Sequence, residues 1–366
     1  MTLRPLCIAP FGDYGGSEMV LMRVLRALDE TIDPRLVLLT PGPFADMLTL
    51  ERFSLQVEDL PGKQGVRHFP RVAREIADRY RGDVSMVHAN GIKAAILGIL
   101  VARRLRVPLM WMKHDHVYDG PVARQVARRC QVVVVVSEAM AEQFRGRIST
   151  PVHVIYPGVA IGPPPDPPSE EKLIVAVGRL DPAKGFPALL RSLVVLRERG
   201  IDARMRIAGP VDRVFPEHAE ELEQLVGELG IRDVAEVGWE DDLDALYRRA
   251  RVVAMASPPK RGGKPSEGAP TVLMEAMSHG RPVVGPRQAG IAEVIGTDAG
   301  SLVDELTPEG FADALTPYLE DRALATETGR RGRDRAERVF SMERTVSQLT
   351  ALWAELAVDP GKGGRA

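Results

Sequence analysis

The sequence predicts an α/β protein made of two doubly wound domains, each built around a parallel sheet. Two observations indicate this class. Short apolar runs alternate with helix-length segments along residues 1–156 and again along residues 169–340, which is the order of repeated β-α-β units. The chain also has 366 residues, of which 45% are hydrophobic, and this length suits two cores better than one.

In the first domain, 1–156, the predicted strands alternate with helices. The strands are 6–9, 36–39, 84–88, 109–112 and 132–136, and the helices are 17–28, 72–80, 93–105 and 121–129. Residues 132–136 are all valine, and an unbroken β-branched run favours a strand buried on both faces of a parallel sheet. Ser17 is a candidate N-cap of the first helix.

A proline-rich segment, 157–168, interrupts this alternation. Its six prolines make it stiff and extended, so we predict an interdomain linker. The second domain, 169–340, then repeats the pattern, and an amphipathic helix at 342–356 ends the chain. The predicted strands are 173–177, 204–208, 235–237, 252–255 and 282–284, and the helices are 186–199, 216–229, 243–249 and 270–279.

The charge and the cysteines restrict the partners and the compartment. A net charge of −2 argues against a general nucleic-acid-binding surface. Residues 1–156 carry 21 basic and 16 acidic side chains, which suits an anionic acceptor or the inner face of a membrane; solvated helix faces are the alternative. Cys7 and Cys130 lack metal-ligand spacing, and the N-terminus lacks a signal-peptide profile, so we expect a cytoplasmic protein with reduced thiols.

Two glutamates, Glu267 and Glu275, bracket a predicted loop-to-helix junction. Glu267 lies in a loop rich in glycine and proline, and Glu275 lies on a helix that Pro270 is expected to open as its first residue. Free N–H groups at a helix N-terminus suit a phosphate, and two carboxylates suit hydroxyl groups. A nucleotide sugar carries both, whereas two solvated surface glutamates are the alternative.

Two cations, Arg179 and Lys184, lie on the loop that follows predicted strand 173–177. Open α/β sheets bind ligands at this edge. Arginine binds phosphate oxygens through bidentate hydrogen bonds and lysine acts as a point charge, so the two side chains would stabilise a departing diphosphate. Exposed cations on a surface turn are the alternative.

A glycine loop follows the first predicted strand and contains Gly15 and Gly16. Two glycines let backbone amides approach a ligand at a helix N-terminus. The loop lacks the Gly-x-Gly-x-x-Gly spacing of dinucleotide-binding folds and the Gly-Lys-Ser/Thr ending of a P-loop.

Polar residues also lie at the ends of two strands in the first domain. His114, Asp115 and His116 follow one strand, and His88 and Asn90 end another. A neutral imidazole there would orient a sugar hydroxyl. A His-Asp-His run alternatively suggests a metal, but no third ligand motif accompanies it, so we predict no metal site. For His88 and Asn90, a hydrogen-bonded strand terminus is the alternative.

Taken together, these motifs resemble the retaining glycosyltransferases of family 4, which have the GT-B fold. The similarity lies in the two glutamates with their flanking residues, in the segments 280–284 and 290–293 that follow them, and in the loop 178–185. It implies two Rossmann-like domains facing a deep cleft, with the last helix, 341–357, returning to the first domain.

The resemblance also implies roles for individual residues. Arg179 and Lys184 would bind the donor's phosphates, Glu275 the ribose and Glu267 the sugar ring, with His114 beside that sugar. Other contacts to the donor would come from Gly15, Gly16, Gly268, Ala269, Pro270, Thr271 and Val272. The nucleobase would lie near Gly238 and Trp239. The acceptor side would be lined by His88, Asn90, Asp115 and His116. Trp239 would alternatively pack between the domains.

The implied reaction transfers a hexosyl or related group from a nucleotide-diphosphate sugar to a hydroxyl acceptor, with retention and without metal or other cofactor. The products would be glycans, glycolipids or glycosylated metabolites. The alternatives are a nucleotide-sugar epimerase of the same fold, a catalytically inactive nucleotide-sugar-binding protein and a glycoside hydrolase. The paired cations argue against the hydrolase, which has no diphosphate to neutralise. The base, the sugar and the acceptor stay open.

Overall fold

The computed structural model describes residues 2–12, 15–51, 53–60, 63–260 and 262–357. They form two compact units. Unit 1 contains the chain up to Gly158 and the segment from Met342 onward, and unit 2 contains Val159–Ser341. Asp13 and Tyr14, within the predicted glycine loop, lie outside the described residues.

Unit 1 contains a parallel sheet of seven described strands, in the order β3-β2-β1-β4-β5-β6-β7. The strands are β1 (Pro5–Ala9), β2 (Arg35–Leu38), β3 (Ser54–Val57), β4 (Met86–Asn90), β5 (Leu109–Lys113), β6 (Val132–Val135) and β7 (Val152–Val154). The helices are α1 (Gly16–Arg26), α2 (Pro43–Thr49), α3 (Phe69–Arg79), α4 (Ile92–Leu105), α5 (Pro121–Ala127), α6 (Glu138–Ala141) and α14 (Met342–Leu356), with a 3₁₀ turn at Lys63–His68.

Unit 2 contains a second parallel sheet, with its six described strands in the order β10-β9-β8-β11-β12-β13. The strands are β8 (Leu173–Val177), β9 (Arg204–Ala208), β10 (Ala235–Gly238), β11 (Val252–Ala254), β12 (Val283–Pro286) and β13 (Gly300–Val303). The helices are α7 (Phe186–Glu198), α8 (Glu217–Glu228), α9 (Leu243–Arg249), α10 (Thr271–Ser278), α11 (Ala289–Ile295), α12 (Pro308–Glu320) and α13 (Arg322–Val339), with a 3₁₀ turn at Pro182–Lys184.

The two sheets confirm the predicted α/β class. The cores consist of the strands and of the helix faces that cover them, and β6 is buried along its whole length, as its β-branched run predicts. Helix α1 differs from the prediction at its start. Gly15 is its N-cap, and Ser17 lies inside the helix and donates to Glu18 Oε2 (2.6 Å).

The proline-rich segment, predicted as the interdomain linker, belongs to unit 2 from Val159 onward. Arg281 is fully buried and donates through Nη2 to Asp166 O (2.8 Å), while Arg322 Nε donates to Pro168 O (2.8 Å). Burial lowers the pKa of Arg281 to about 10. Because proline leaves few N–H donors, arginines that bind carbonyls are well suited to fix such a segment.

The last helix, α14, belongs to unit 1. Trp353 is completely buried and its ring centroid lies 5.5 Å from that of His88 on β4. Cys7 and Cys130 are buried free thiols, and burial raises the pKa of each to about 12. Across the described ranges, every helix falls short of the length and apolar character that crossing a bilayer requires.

Candidate functional site

The loop after β8 carries Arg179 at the carboxyl edge of the unit 2 sheet. Gly178 N donates to Ala208 O (3.0 Å), so this loop runs against the end of β9. A side chain at Gly209 would meet Gly178 O at 1.8 Å. Only glycine therefore permits the two strand ends to approach this closely, and the approach fixes the start of the Arg179 loop.

Two buried aspartates form ion pairs with the guanidinium of Arg179. Its Nη1 lies 2.9 Å from Asp212 Oδ2 and its Nη2 lies 3.2 Å from Asp181 Oδ2. Each aspartate is 4% exposed, whereas the Arg179 side chain is 52% exposed. The second oxygen of each carboxylate accepts backbone N–H groups, from Ala183 for Asp181 and from Val214 for Asp212. The site thus holds a pre-positioned cation that still faces solvent.

Sequence reasoning missed the role of these aspartates. Asp181 lies in the loop 178–185, for which the sequence pattern predicts roles only for Arg179 and Lys184. Asp212 follows β9, so the rule that functional residues follow parallel strands would have found it.

Lys184 lies at the end of the 3₁₀ turn and is fixed by the glycine that follows it. Gly185 has a φ of 68°, and a side chain there would meet Ala256 O at 2.3 Å. Lys184 Nζ lies 2.7 Å from Glu267 Oε1, which also accepts from Ser257 Oγ (2.9 Å). The structure therefore brings Lys184 and Glu267, 83 residues apart, into one ion pair.

The carboxylate of Glu267 stays ionised although it is largely buried. Burial by itself raises its pKa. The charge of Lys184 and hydrogen bonds from Lys184 and Ser257 lower the pKa by more than burial raises it, so the pKa lies below its usual range. The result is a charged carboxylate in a partly dry position, which is the state needed to accept hydrogen bonds from sugar hydroxyls or to face developing positive charge.

Helix α11 holds the Glu267 loop from the other side. Gln288, its N-cap, donates through Nε2 to Ser257 O (2.6 Å) and accepts from Ser266 N (3.1 Å). A side chain at Gly290 would meet Gly268 O at 2.2 Å. The Gly290 of the sequence pattern is therefore needed for close packing of α11 against the loop.

Helix α10 begins one residue later than predicted. Pro270 is its extended N-cap and Thr271 its first residue, and no side chain caps the helix. Its first N–H groups, which have no partner within the helix, remain suited to a phosphate. Gly268 and Pro270 are buried, and Ala269, Thr271 and Val272 are half-buried along this junction.

Glu275 lies further along α10 and is held by a different residue. Tyr247, buried on α9, donates to Glu275 Oε2 (3.1 Å). Its ring centroid lies 5.3 Å from that of His279. Glu275 is therefore positioned by an aromatic pair, separately from the Lys184–Glu267 ion pair.

The predicted nucleobase region lies at the end of β10. Gly209 N donates to Gly238 O (2.9 Å), which places Gly238 beside the end of β9. The indole of Trp239 is 63% exposed and its Nε1 donates to Asp241 Oδ1 (2.7 Å). An exposed, hydrogen-bonded indole presents a ring face to solvent.

In unit 1, two of the predicted site residues, His114 and Asn90, meet at the edge of the sheet. His114 Nε2 lies 2.6 Å from Asn90 Oδ1, and Asn90 Nδ2 donates to Ser17 O (3.2 Å). This network joins the ends of β4 and β5 to α1, close to Gly15 and Gly16. Burial lowers the pKa of His114 to about 4, so its imidazole is neutral at pH 7 and keeps Nδ1 as an acceptor.

At the end of β5 and just after it, Lys113, Asp115 and His116 have structural partners. Lys113, almost fully buried, and His116 both pair with Asp119 at 2.8 Å, and Asp115 Oδ1 accepts from Val117 N (2.8 Å). His88 does not end β4 but lies at its middle, 1% exposed beneath Trp353. Within the described ranges, no cluster of three or more His, Cys, Asp or Glu side chains could hold a metal ion.

Comparisons with known proteins agree with this geometry. A family model described as "Glycosyltransferase Family 4" matches residues 14–162, and one described as "Glycosyl transferases group 1" matches residues 163–335. A D-inositol 3-phosphate glycosyltransferase of Salinispora tropica is 27% identical, with 95% of this chain and 82% of that protein covered. The match to the Corynebacterium glutamicum protein of the same name is 30% identical but spans 54% of this chain and only 46% of that one.

Solved structures show the same fold over nearly the whole chain. HepE of Anabaena in complex with UDP has a TM-score of 0.83 at 21% identity, and in complex with UDP-glucose a TM-score of 0.81 at 20% identity. Both comparisons cover 97% of this chain and 100% of HepE. From the two family models and this fold, we conclude that the chain belongs to glycosyltransferase family 4 and has the GT-B fold.

Proposed function

We propose that this protein transfers a glycosyl group from a nucleotide-diphosphate sugar to a hydroxyl acceptor, with retention at the anomeric carbon. The observation that carries the proposal is the constellation at the carboxyl edge of the unit 2 sheet. A solvent-facing Arg179 and a Lys184–Glu267 ion pair lie on adjoining loops there. Two cations for a diphosphate, next to a carboxylate for hydroxyls, match a nucleotide sugar. The solved structures of HepE in complex with UDP and with UDP-glucose support the same ligand class.

The proposed step is a front-face substitution. The bond between the anomeric carbon and the diphosphate oxygen breaks, the acceptor oxygen bonds to that carbon, and the acceptor proton passes to the departing phosphate. Arg179 and Lys184 stabilise the negative charge that develops on the phosphate. Glu267 accepts hydrogen bonds from hydroxyl groups of the transferred sugar, and Glu275 accepts them from hydroxyl groups of the ribose.

The same proposal gives a role to His114 and requires no metal ion. A neutral imidazole with a free Nδ1 can accept a hydrogen bond from a sugar hydroxyl. We propose that no metal takes part, because Arg179 and Lys184 supply the charge that a bound cation would otherwise supply at the diphosphate.

A donor panel tests the proposal. The protein is incubated with UDP-, GDP-, ADP- and dTDP-sugars and with hydroxyl acceptors that include inositol and inositol phosphate. Released nucleoside diphosphate and the shift in melting temperature are both measured. We expect donors of one base to protect the protein, and one of these donors to release its nucleoside diphosphate in an acceptor-dependent way, in excess EDTA as well. No protection and no release with any donor would reject the proposal, and loss of activity in EDTA, restored by Mn²⁺ or Mg²⁺, would reject its metal-free form.

A further inference from the structure

An exposed hairpin, residues 258–265, lies next to Glu267 and carries Lys260 and Lys264. The chain reverses at Gly262 and Gly263, whose φ values are 81° and 71°. Lys260 N donates to Lys264 O (2.8 Å), and Gly263 N donates to Lys260 O (3.0 Å). These bonds bring the two lysines side by side across the hairpin. Arg261 lies outside the described residues.

Both ends of this hairpin are fixed to the proposed donor site. Ser257, which precedes it, donates to Glu267 Oε1 (2.9 Å), and Gln288 joins Ser257 to Ser266 at the other end. Lys260 is three residues from Ser257 and Lys264 is three residues from Glu267. Three residues of chain span at most about 11 Å, so both ammonium groups can reach the space around Glu267.

The electrostatics agree with this placement. Burial raises the pKa of Glu267, and the charges of Lys184 and of Lys260 lower it, so Lys260 acts on the carboxylate from nearby. Lys184 pairs with the same carboxylate at 2.7 Å. Among the described side chains, neither Lys260 nor Lys264 has an ion-pair partner for its ammonium group.

We propose that Lys260 and Lys264 form a subsite for a negatively charged group of the substrate, a carboxylate or a phosphate, beside the sugar position at Glu267. The proposal rests on the proposed function and specifies the substrate class of the same site. Two sources present this chemistry: a uronic acid carboxylate on the transferred sugar, or a phosphate on the acceptor. Paired lysines suit either, because ammonium groups act as mobile point charges without a fixed bidentate geometry.

The test compares charged and neutral substrates in matched pairs. One arm uses UDP-glucuronate against UDP-glucose, or the pair with the base that the donor panel selects; the other uses inositol phosphate against inositol. The variant is Lys260→Gln/Lys264→Gln. Its control is Arg191→Gln/Arg232→Gln, which removes two exposed cations elsewhere in unit 2. Melting-temperature protection by the nucleoside diphosphate of the selected base alone is measured for all proteins.

We expect the hairpin variant to lower kcat/KM for the charged member of one pair by about tenfold, the scale of a charge-assisted hydrogen bond, with the neutral member nearly unchanged. The affected arm identifies the source. Equal effects on charged and neutral substrates in both arms, or an equal effect of the control variant, would overturn the inference. Intact protection by that nucleoside diphosphate with unaltered discrimination rejects this subsite alone, whereas absence of protection and of turnover with every donor rejects the proposed function itself.

Discussion

Lys184 Nζ lies 2.7 Å from Glu267 Oε1, so the cation proposed for the donor's phosphate and the carboxylate proposed for its sugar form one ion pair. Their side chains are only 22% and 19% exposed. When one member of a poorly solvated pair is removed, the remaining charge loses its compensation. The two proposed roles are therefore coupled, and a change at Lys184 must also alter Glu267.

This coupling predicts a pH effect. In Lys184→Met the pKa of Glu267 should rise, because burial still raises it and the main lowering charge is gone. Since Glu267 acts as a carboxylate, the acid limb of kcat/KM against pH should move to higher pH. Lys184→Arg keeps the charge and should leave the limb near its wild-type position. An unmoved acid limb in Lys184→Met would show that Glu267 ionisation does not govern activity.

Arg179 should act mainly on the chemical step. Replacing it by alanine should lower kcat by at least about a hundredfold, the scale of losing one preorganised charge stabiliser. The melting temperature should fall as well, because the buried carboxylates of Asp181 and Asp212 lose their compensating cation, so kcat is measured well below the melting temperature of the variant. Arg199→Ala, which breaks an exposed ion pair with Asp313, is the matched control. Near-wild-type turnover in the Arg179→Ala/Lys184→Ala double variant would contradict the assignment.

The two glutamates should separate kinetically. Glu275→Ala should raise the donor KM more than it lowers kcat, because ribose contacts are equally strong in ground and transition states. Glu267→Gln should mainly lower kcat, since a carboxylate beside the sugar ring stabilises the positive charge that develops there. Tyr247→Phe removes the hydrogen bond to Glu275 and should reproduce a milder rise in KM. Equal KM effects from both glutamate variants would reject this division of roles.

The buried histidines predict acid sensitivity of unit 1. Burial lowers the pKa of His88 to about 3 and that of His114 to about 4. Between pH ~6.5 and these values the unfolded chain binds protons that the folded chain does not. The free energy of unfolding should therefore fall as pH drops, by about 1.4 kcal/mol per pH unit for each histidine.

His88→Leu should make this pH dependence shallower, and His153→Asn, at an exposed position on β7, should not. The pH dependence of the free energy of unfolding is measured by denaturant unfolding, followed by tryptophan fluorescence in a Trp239→Phe background. The remaining tryptophans, Trp111 and Trp353, both lie in unit 1, so the fluorescence follows the unfolding of unit 1. The same slope in His88→Leu as in the parent protein would contradict the assignment of a neutral buried imidazole.

Much of the fold could be predicted because it depends on local periodicity. Strands β6 and β8, inside the two sheets, are continuous apolar runs, and α14 was predicted at its observed bounds. Strand β3 was missed because it is an edge strand whose residues are exposed or half-buried, so it lacks the apolar signal of a central strand. Strand β13 was missed because its first residue is a glycine, which breaks the usual strand pattern.

For the candidate site, the sequence predicts which residues matter better than it predicts how they pair. Arg179 and Lys184 follow a strand and could be found by that rule alone. The Lys184–Glu267 pair and the grip of Asp212 on Arg179 are contacts between distant segments, and no local pattern encodes them. His88 shows the converse error, because a polar residue near a predicted strand end lies at the strand's middle under Trp353.

The central claim is transfer of a glycosyl group with retention, and proton NMR of the product measures it most directly. The protein is incubated with the donor and acceptor that the panel selects, and the coupling of the anomeric proton is recorded as the product forms. The account predicts a new glycosidic linkage with the same α configuration as the donor, absent with Arg179→Ala/Lys184→Ala. An inverted linkage would contradict the mechanism, and a converted sugar nucleotide without any new linkage would show an epimerase instead of a transferase.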